Sequence, residues 1–535
     1  MLFNERFAAG KAMVIKMYLA LNIICLIISA ASSVLCVIRT THMFQLNSYK
    51  SSVQFKWMRQ NFRHYIINII LLALSAAAAF TNAVWLYIVF YVFALIFALL
   101  NKPMKNAKKP LVYTARVKRM LVTDFIVWLA AFAAAFFAGK ERFALLGMGI
   151  SLSLVPLLPI IGNFINSPIE KAIRQYYIND AKKMLKACPD LKVIGITGSY
   201  GKTSVKYYLS TVLKAKYNVL MTPESYNTPM GVVKTIREQL RPTHEIFVCE
   251  MGARHVGDIK EICDIVFPEY GIITSIGEQH LETFKSIDNI IKTKFELYDA
   301  VSDKSKMFLN GDNENISKNL KTKSDTGYHT YGIGNQNETY AYNISVSKKG
   351  TNFSVSCRGQ KIENLQTPLI GEHNVTNLTG VIAVCVSLGV PADDIKMYVR
   401  KLFSPPHRLQ LTRRGDTAII DDAYNSNPAG CEAALKTLSL FDGTKILITP
   451  GMVELGKMQD KCNYEFGKSA SQVCDFVYLV GKKQTEAIYN GLTDAGYDDK
   501  KITVSDSFIE AFNKASAAPG AQKVILIEND LPDNY

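Results

Sequence analysis

Over the first third of the chain the apolar positions follow no amphipathic period; they run unbroken. Met17–Ile38 is 22 residues without a charge, Tyr65–Leu100 is 36, Phe143–Ile169 is uncharged, and Leu121–Gly139 carries only Asp124. A hydrocarbon core about 30 Å thick is crossed by roughly 20 apolar residues in a helix, so each run predicts a spanning helix. At about 1.5 Å per residue, the 36-residue run would reach roughly 54 Å as one helix, so two helices turning near Thr81-Asn82 are expected. Residues 1–166 therefore predict an α-helical multi-span membrane domain of five spans, with four as the alternative. A cleaved signal peptide is the competing reading of the first run, which is longer than a usual signal core.

The pattern then changes. Ile169, Ile173, Tyr176, Tyr177, Met184 and Leu185 recur at helical spacing among charges, so 167–190 predicts an amphipathic linker leaving the membrane. Strand-like and helix-like stretches alternate beyond it: strand Val193–Thr197, helix Thr203–Leu213, strand Ile246–Glu250, helix Gly257–Ile265, strand Gly271–Ile276, helix Ser286–Tyr298. That rhythm predicts an α/β domain over 191–405, its parallel sheet covered on both faces. Tyr328–Arg358 alternates polar and apolar residues around a Lys-Lys-Gly turn and reads as an antiparallel insert, before helix Asn374–Leu388. Pro405-Pro406 marks a boundary. Strand-like Thr417–Asp421, Lys445–Thr449, Phe476–Val480 and Lys523–Ile527 then predict a smaller Rossmann-like domain over 406–535.

Charge sharpens the first picture. The net charge is +15, yet residues 1–163 hold 17 Lys and Arg against three acids, so nearly all of it belongs to the apolar third. The basic balance is a membrane signature, and no nucleic-acid partner is expected. Asn101–Met120 holds seven basic residues and Arg39–His64 five, which places both loops in the cytoplasm. The links at Thr81-Asn82 and Lys140-Glu141-Arg142 then face outside. A multi-pass cell-membrane protein with its C-terminal two-thirds in the cytoplasm, where ATP is, follows from five spans. The ten Cys include no CxxC pair and read as small apolar residues, with no disulfide framework or zinc site.

"GITGSYGKTSVK" carries the chemistry. A predicted strand ends at Thr197, Gly198-Ser199-Tyr200-Gly201 turns, and Lys202-Thr203-Ser204 opens a helix. Glycines let backbone amides crowd a phosphate, and a helix N-terminus adds positive potential. Lys202 would neutralise the β- and γ-phosphates of ATP, and Thr203 would ligate Mg²⁺. Ile196 stands where the usual motif has its first glycine, so the loop is a variant. A Gly-rich turn with a chance Gly-Lys-Thr is the bland alternative.

The loop resembles the nucleotide loop of the Mur ligases, the ATP-dependent enzymes that add amino acids to peptidoglycan precursors. Further stretches agree in order: "SYNTPMGV", "CEMGARHVGDI", "GEQHLETF", "KTKFEL", "GEHNVTN", "HRLQ", "DDAYNSNP" and "GMVELG". The last two most resemble the branch that adds D-alanyl-D-alanine. The resemblance covers about 190–490. It implies that Glu250 reaches the same Mg²⁺ as Thr203, that His280 binds a second Mg²⁺, and that Lys294 carries a carbamate, with Lys292 the alternative. Imidazole is an unusual magnesium ligand, so hydrogen bonding is the other reading of His280. The resemblance places Asn377 near the adenine, Arg408 at phosphate, and Asp422, Asn425 and Asn427 where the second domain closes on the nucleotide.

The implied reaction moves the γ-phosphoryl of ATP to a substrate carboxylate, and an amine then displaces phosphate to form an amide. Two features depart from the family. No uridine-diphosphate-gripping domain precedes the loop; the apolar segment stands there. "LIENDLPDNY" replaces the usual Lys-Gly-Ser ending. Reaction type is therefore implied more strongly than substrate. The expected partners are a cell-envelope precursor carboxylate, an amino acid or dipeptide amine, and the lipid bilayer. A polymer ligase like the membrane-associated poly-γ-glutamate synthases is the alternative. From another class, an ATP-driven transporter or regulator would need functional polar groups in the spans, where only Asp124 is available.

Overall fold

The computed structural model describes residues 2–62, 65–81, 84–101, 109–138, 144–324, 326–424 and 427–530. The chain divides into two compact units, one up to Gln175 and one from Tyr176 onward.

In the first unit the described residues of each uncharged run are mainly helical. The helices are α1 (Leu2–Leu46), α2 (Ser51–Gln60), α3 (Ile66–Thr81), α4 (Val84–Leu100), α5 (Ala115–Ala138), α6 (Ala144–Leu154) and α7 (Leu158–Lys186). The 36-residue run divides between α3 and α4 at the expected place. Asn82, Lys140-Glu141-Arg142 and residues 102–108 of the basic loop lie outside the described residues. Among the described residues two stretches, Leu26–Leu46 and Leu145–Lys186, are long and apolar enough to cross a membrane, while Ile66–Ala78 and Trp85–Leu100 are shorter apolar helices. By length and composition, then, two helices among the described residues meet the test, against the expected five spans. Cys36, Leu71, Phe90, Phe97, Met148 and Leu152 form a buried core linking α1, α3, α4 and α6. The linker expected over 167–190 is no separate element. Ser167–Lys186 continues α7 without a break, and its Ile178 and Ala181 join the core of the second unit.

The second unit holds two sheets. Its first part runs β1 (Lys192–Thr197), α8 (Lys202–Leu213), β2 (Val219–Met221), α9 (Pro229–Gln239), β3 (Ile246–Glu250), α10 (Asp258–Val266), β4 (Tyr270–Ile273), α11 (Leu281–Phe284), α12 (Ile287–Ala300), β5 (Met307–Asn310), α13 (Glu314–Leu320), β6 (His329–Gly332), β7 (Thr339–Ser347), β8 (Gly350–Cys357), β9 (Gln360–Thr367), α14 (Glu372–Ser387) and α15 (Ala392–Val399). The strand order is β2-β3-β1-β4-β5-β6-β7-β8-β9. Pairing is parallel from β2 through β7 and antiparallel for β7-β8-β9. The expected antiparallel insert is therefore an extension of the main sheet. One apolar layer packs α8, α14 and α15 on one face, and another packs α9, α10, α12 and α13 on the other. Burial on both faces is why the central strands read as unbroken apolar runs.

The second part runs β10 (Gln410–Arg414), β11 (Thr417–Asp422), α16 (Pro428–Ser439), β12 (Thr444–Thr449), α17 (Gln459–Ser471), β13 (Phe476–Val480), α18 (Glu486–Asp494), β14 (Ile502–Ser505), α19 (Phe508–Ser516) and β15 (Lys523–Glu528). Its sheet has the order β10-β11-β15-β12-β13-β14, parallel except for β10.

β1 lies between β3 and β4, so its carboxyl end opens onto the crevice where open α/β sheets bind ligands. Helix α12 packs very close above it. A Cβ on Gly195 would come within 2.7 Å of Leu297 Cδ1 and 2.8 Å of Met251 Cε. The missing side chain lets α12, which carries Lys294, sit low on the sheet. Gly195→Val should overpack this contact at a cost of about 1–3 kcal/mol and lift α12. A thermal melt of the full chain should show a lower midpoint for Gly195→Val than for wild type; an unchanged midpoint would mean that α12 has room to spare.

Candidate functional site

The loop after β1 is shaped by two backbone positions that favour glycine. Gly198 has φ of 152°, and a Cβ there would lie 2.1 Å from Thr274 Oγ1. Gly201 has φ of 80°, and a Cβ there would lie 2.8 Å from Asn377 Oδ1. The residues after β4 hold the loop. Ser199 N donates to Ser275 O at 2.6 Å, Tyr200 N to Ser275 Oγ at 3.0 Å, and Tyr200 OH to Glu278 O at 2.8 Å. Helix α8 begins with no side-chain cap, and its first helical bond runs from Val205 N to Gly201 O. The amides of Lys202, Thr203 and Ser204 thus open the helix without a capping side chain, as an anion-binding turn requires.

Lys202 Nζ donates to the carbonyls of Gly198 at 2.7 Å and Ser199 at 2.9 Å, so it lies back over its own loop. Burial brings its amine down to about 8; the Glu250 charge opposes this and the Arg408 charge adds to it. Thr203 Oγ1 donates to Glu250 Oε1 at 3.1 Å, which joins two of the expected metal ligands across β1 and β3. Asn227 Nδ2 donates to the same oxygen at 3.0 Å, and Lys206 Nζ lies 3.0 Å from Glu250 Oε2. Burial acts to raise the Glu250 carboxyl, but Lys206 and Lys202, helped by Asn227, hold it below the usual carboxylate range. A hydroxyl and an ionised carboxylate in contact are hard oxygen donors, a set that suits Mg²⁺ completed by phosphate oxygens and water. Among the described residues no three His, Cys, Asp or Glu side chains form a metal-holding group by themselves.

His280 is engaged elsewhere. Its Nδ1 lies 2.5 Å from Glu454 Oε2, and Arg254 Nη1 is 3.5 Å from the other Glu454 oxygen. Burial lowers the imidazole pKa, against the pull of Glu454. The contact accords with a hydrogen-bonding His280 and ties the first sheet to the loop after β12.

Lys294 is 2% exposed on α12, whereas Lys292 is exposed. Burial, with the Lys202 charge, drives the Lys294 amine well below its ordinary value, and Asp258 and Glu296 only partly oppose this. A neutral buried amine is the form that captures CO₂. Glu296 does something else. It accepts from Gly257 N at 2.7 Å and Lys260 N at 2.8 Å, capping α10 from α12.

Asn377, on α14, sits against Gly201 of the loop. Arg408 lies between two residues of positive φ, His407 and Leu409. The turn is pinned to β11: His407 Nδ1 is 2.8 Å from Asp421 Oδ2, and Leu409 N donates to Asp422 Oδ1 at 3.0 Å. Burial lowers the Arg408 pKa, while the charges of Asp422 and Glu250 counter it. Asn427 caps α16 through Gly430 N at 2.8 Å; Asn425 lies outside the described residues. Sequence reasoning missed Lys206 and assigned no role to Glu454, although "GMVELG" was a visible motif.

The Mur ligase middle domain model matches residues 196–385, and the model of the Mur ligase glutamate ligase domain matches residues 407–528. The UDP-N-acetylmuramoyl-tripeptide–D-alanyl-D-alanine ligase of Escherichia coli strain K12 is 30% identical over 300 residues, 56% of this chain and 66% of that protein, so the chain spans just under two thirds of that relative's length. A crystal structure of MurF from Acinetobacter baumannii superposes with a TM-score of 0.60 at 25% identity, covering 66% of this chain and 77% of that one. MurF from Thermotoga maritima, solved in complex with ADP, shares the fold at a TM-score of 0.59 and 23% identity, over 67% and 80% of the two chains. Loop, neighbouring acid and second sheet all fall within the matched residues, and through them the chain belongs to the Mur ligase family.

Proposed function

We propose that this protein is an ATP-dependent amide-bond-forming ligase that activates a carboxylate as an acyl phosphate, held at the membrane by its N-terminal helices. The observation that carries the reading is the meeting, at one sheet edge, of an uncapped helix start, Lys202 and the Thr203–Glu250 contact. A carboxylate oxygen of the first substrate attacks the γ-phosphorus and ADP leaves. The amine nitrogen of the second attacks the acyl carbon, the tetrahedral intermediate expels phosphate, and the amide remains. The α8 amides and Lys202, once swung off its own loop, bear on the transferring phosphoryl oxygens, where positioned charge counts most. Thr203 and Glu250 would hold the Mg²⁺, which supplies further charge neutralisation there. Arg408, on a turn pinned to β11, reaches the phosphates from the second sheet. No protein nucleophile is required, and catalysis consists mainly of orienting both substrates.

The carboxylate is a cell-envelope precursor, with UDP-N-acetylmuramoyl-tripeptide the first to try given the relative's name, and the amine an amino acid or a dipeptide such as D-alanyl-D-alanine. Membrane attachment is supported by exposed apolar side chains along the first unit, among them Trp85, Ile88 and Val92 on α4 and Val122, Phe125 and Ile126 on α5. Contiguous apolar surface of this kind marks a membrane or protein interface. The basic loops support a cytoplasmic active site. A lipid-linked precursor would then be presented by the bilayer itself, to this ligase or to its polymer-forming alternative. One observation favours the transporter or regulator reading: Asp124 is buried on α5, and among the described residues neither carboxylate oxygen meets a hydrogen-bond donor.

Phosphate release separates these readings. A ligase releases phosphate only when both carboxylate and amine are present; release with ATP alone would favour the transporter. Lys202→Ala and Glu250→Ala should each lower substrate-dependent release by about 100-fold or more without loss of fold by circular dichroism. Near-normal turnover in either would remove that residue from the site.

The carbamate at Lys294 has its own test. Wild type stripped of CO₂ should lose activity and regain it on adding bicarbonate. Lys294→Ala should be inactive and partly restored by a small carboxylate, whereas Lys294→Arg should stay inactive because arginine holds its charge. An active Lys294→Arg enzyme would show that a positive charge suffices there.

A further inference from the structure

Lys206 lies one helical turn beyond Lys202 on α8, yet the two lysines meet different groups. Lys202 turns back to its loop; Lys206 points at Glu250. Lysine is almost never fully buried unless paired, and Lys206 has a relative exposure of 0% while Glu250 has 1%. The ammonium, with three protons to place, lies 3.0 Å from Glu250 Oε2 and donates to the carbonyl of Glu224. Its charge also lies 5.0 Å over the ring of Tyr207.

The two Glu250 oxygens divide their work. Oε1 takes the Thr203 hydroxyl and the Asn227 amide; Oε2 faces Lys206. Rotation of the carboxylate out of its plane would carry an oxygen away from the Lys206 ammonium, so the ion pair fixes the plane of the group and keeps the other oxygen turned to Thr203. The Glu224 contact extends the grip. Glu224 has φ of 42° and opens the segment that delivers Asn227 to Oε1. One ammonium thus ties together the helix bearing Thr203, the strand end bearing Glu250 and the loop bearing Asn227.

We propose that Lys206 is a positioning residue for Glu250, holding the carboxylate so that one oxygen stays turned to Thr203 and to the magnesium-bearing nucleotide. The inference rests on the nucleotide reading given above. Stability alone does not test it, since removing one partner of a buried ion pair is destabilising whatever the pair's role. A positioning role must show in how metal affects nucleotide binding.

The experiment is calorimetric titration of the purified full chain with ATP, with and without Mg²⁺. The ratio of the two affinities is the metal-dependent increment. Wild type should show an increment that Glu250→Gln removes. Lys206→Met should reduce it about ten-fold or more, the scale on which partners of metal ligands act. A folded Lys206→Met with the wild-type increment would overturn the proposal, even if its melting temperature falls, because Lys206 would then only fill space. Should Lys206→Met fail to fold, Lys206→Arg carries the same readout. It keeps the charge but not a compact point donor, so a reduced increment is expected and a full one overturns the proposal. Absence of any increment in wild type would instead defeat the nucleotide reading itself, and is visible before any variant is made.

Discussion

Glu250 ends a strand buried along its whole length, and its carboxylate is ionised there because Lys206 and Lys202 stand beside it. Everything chemical in the second unit is arranged around that buried negative charge. Lys202, Lys206 and Arg408 all lie close enough to interact with it. Burial, with the Lys202 charge, drives the Lys294 amine well below its ordinary value, and Arg408 is countered partly by Asp422 and Glu250. A polyphosphate with its metal suits such a site, and the loop fits the same ligand, since Gly198 and Gly201 bring the open start of α8 to the same place.

The second sheet reaches across to the first. Glu454, itself at φ of 63°, takes His280 and Arg254 from the first sheet, and the pinned turn at His407–Leu409 aims Arg408 back toward Glu250. Contact between the two sheets suits the proposed reaction, whose work is orientation, because bringing two substrates into register supplies much of the rate. The same contact occupies the imidazole that the family resemblance would give to a second metal.

Much of this was legible in the chain. Strands such as Ile246–Glu250 and Lys445–Thr449 are buried on both faces, so their apolar runs stand out. Short strands did not: β2 has three residues and β14 four, too few to show a pattern. The continuity of β6 to β9 with the main sheet lies in pairing between distant segments, which local alternation does not encode. Site residues divide the same way. Lys202 and Thr203 sit in a contiguous motif, whereas Lys206 looks like any lysine on a helix until the fold brings β3 beside α8. Lys292 and Lys294 are two positions apart and so point to different sides of α12; only packing tells the exposed one from the buried one.

The apolar first third exposes hydrophobic side chains along its helices, and α7 runs on from it into the second unit. The chemistry itself can be followed atom by atom. With UDP-N-acetylmuramoyl-tripeptide labelled with ¹⁸O in its terminal carboxylate, and D-alanyl-D-alanine as the amine, an acyl phosphate route transfers one labelled oxygen to each phosphate released. Phosphate free of the label, its fourth oxygen drawn from water, would contradict it and leave a nucleotide hydrolase in place of the ligase.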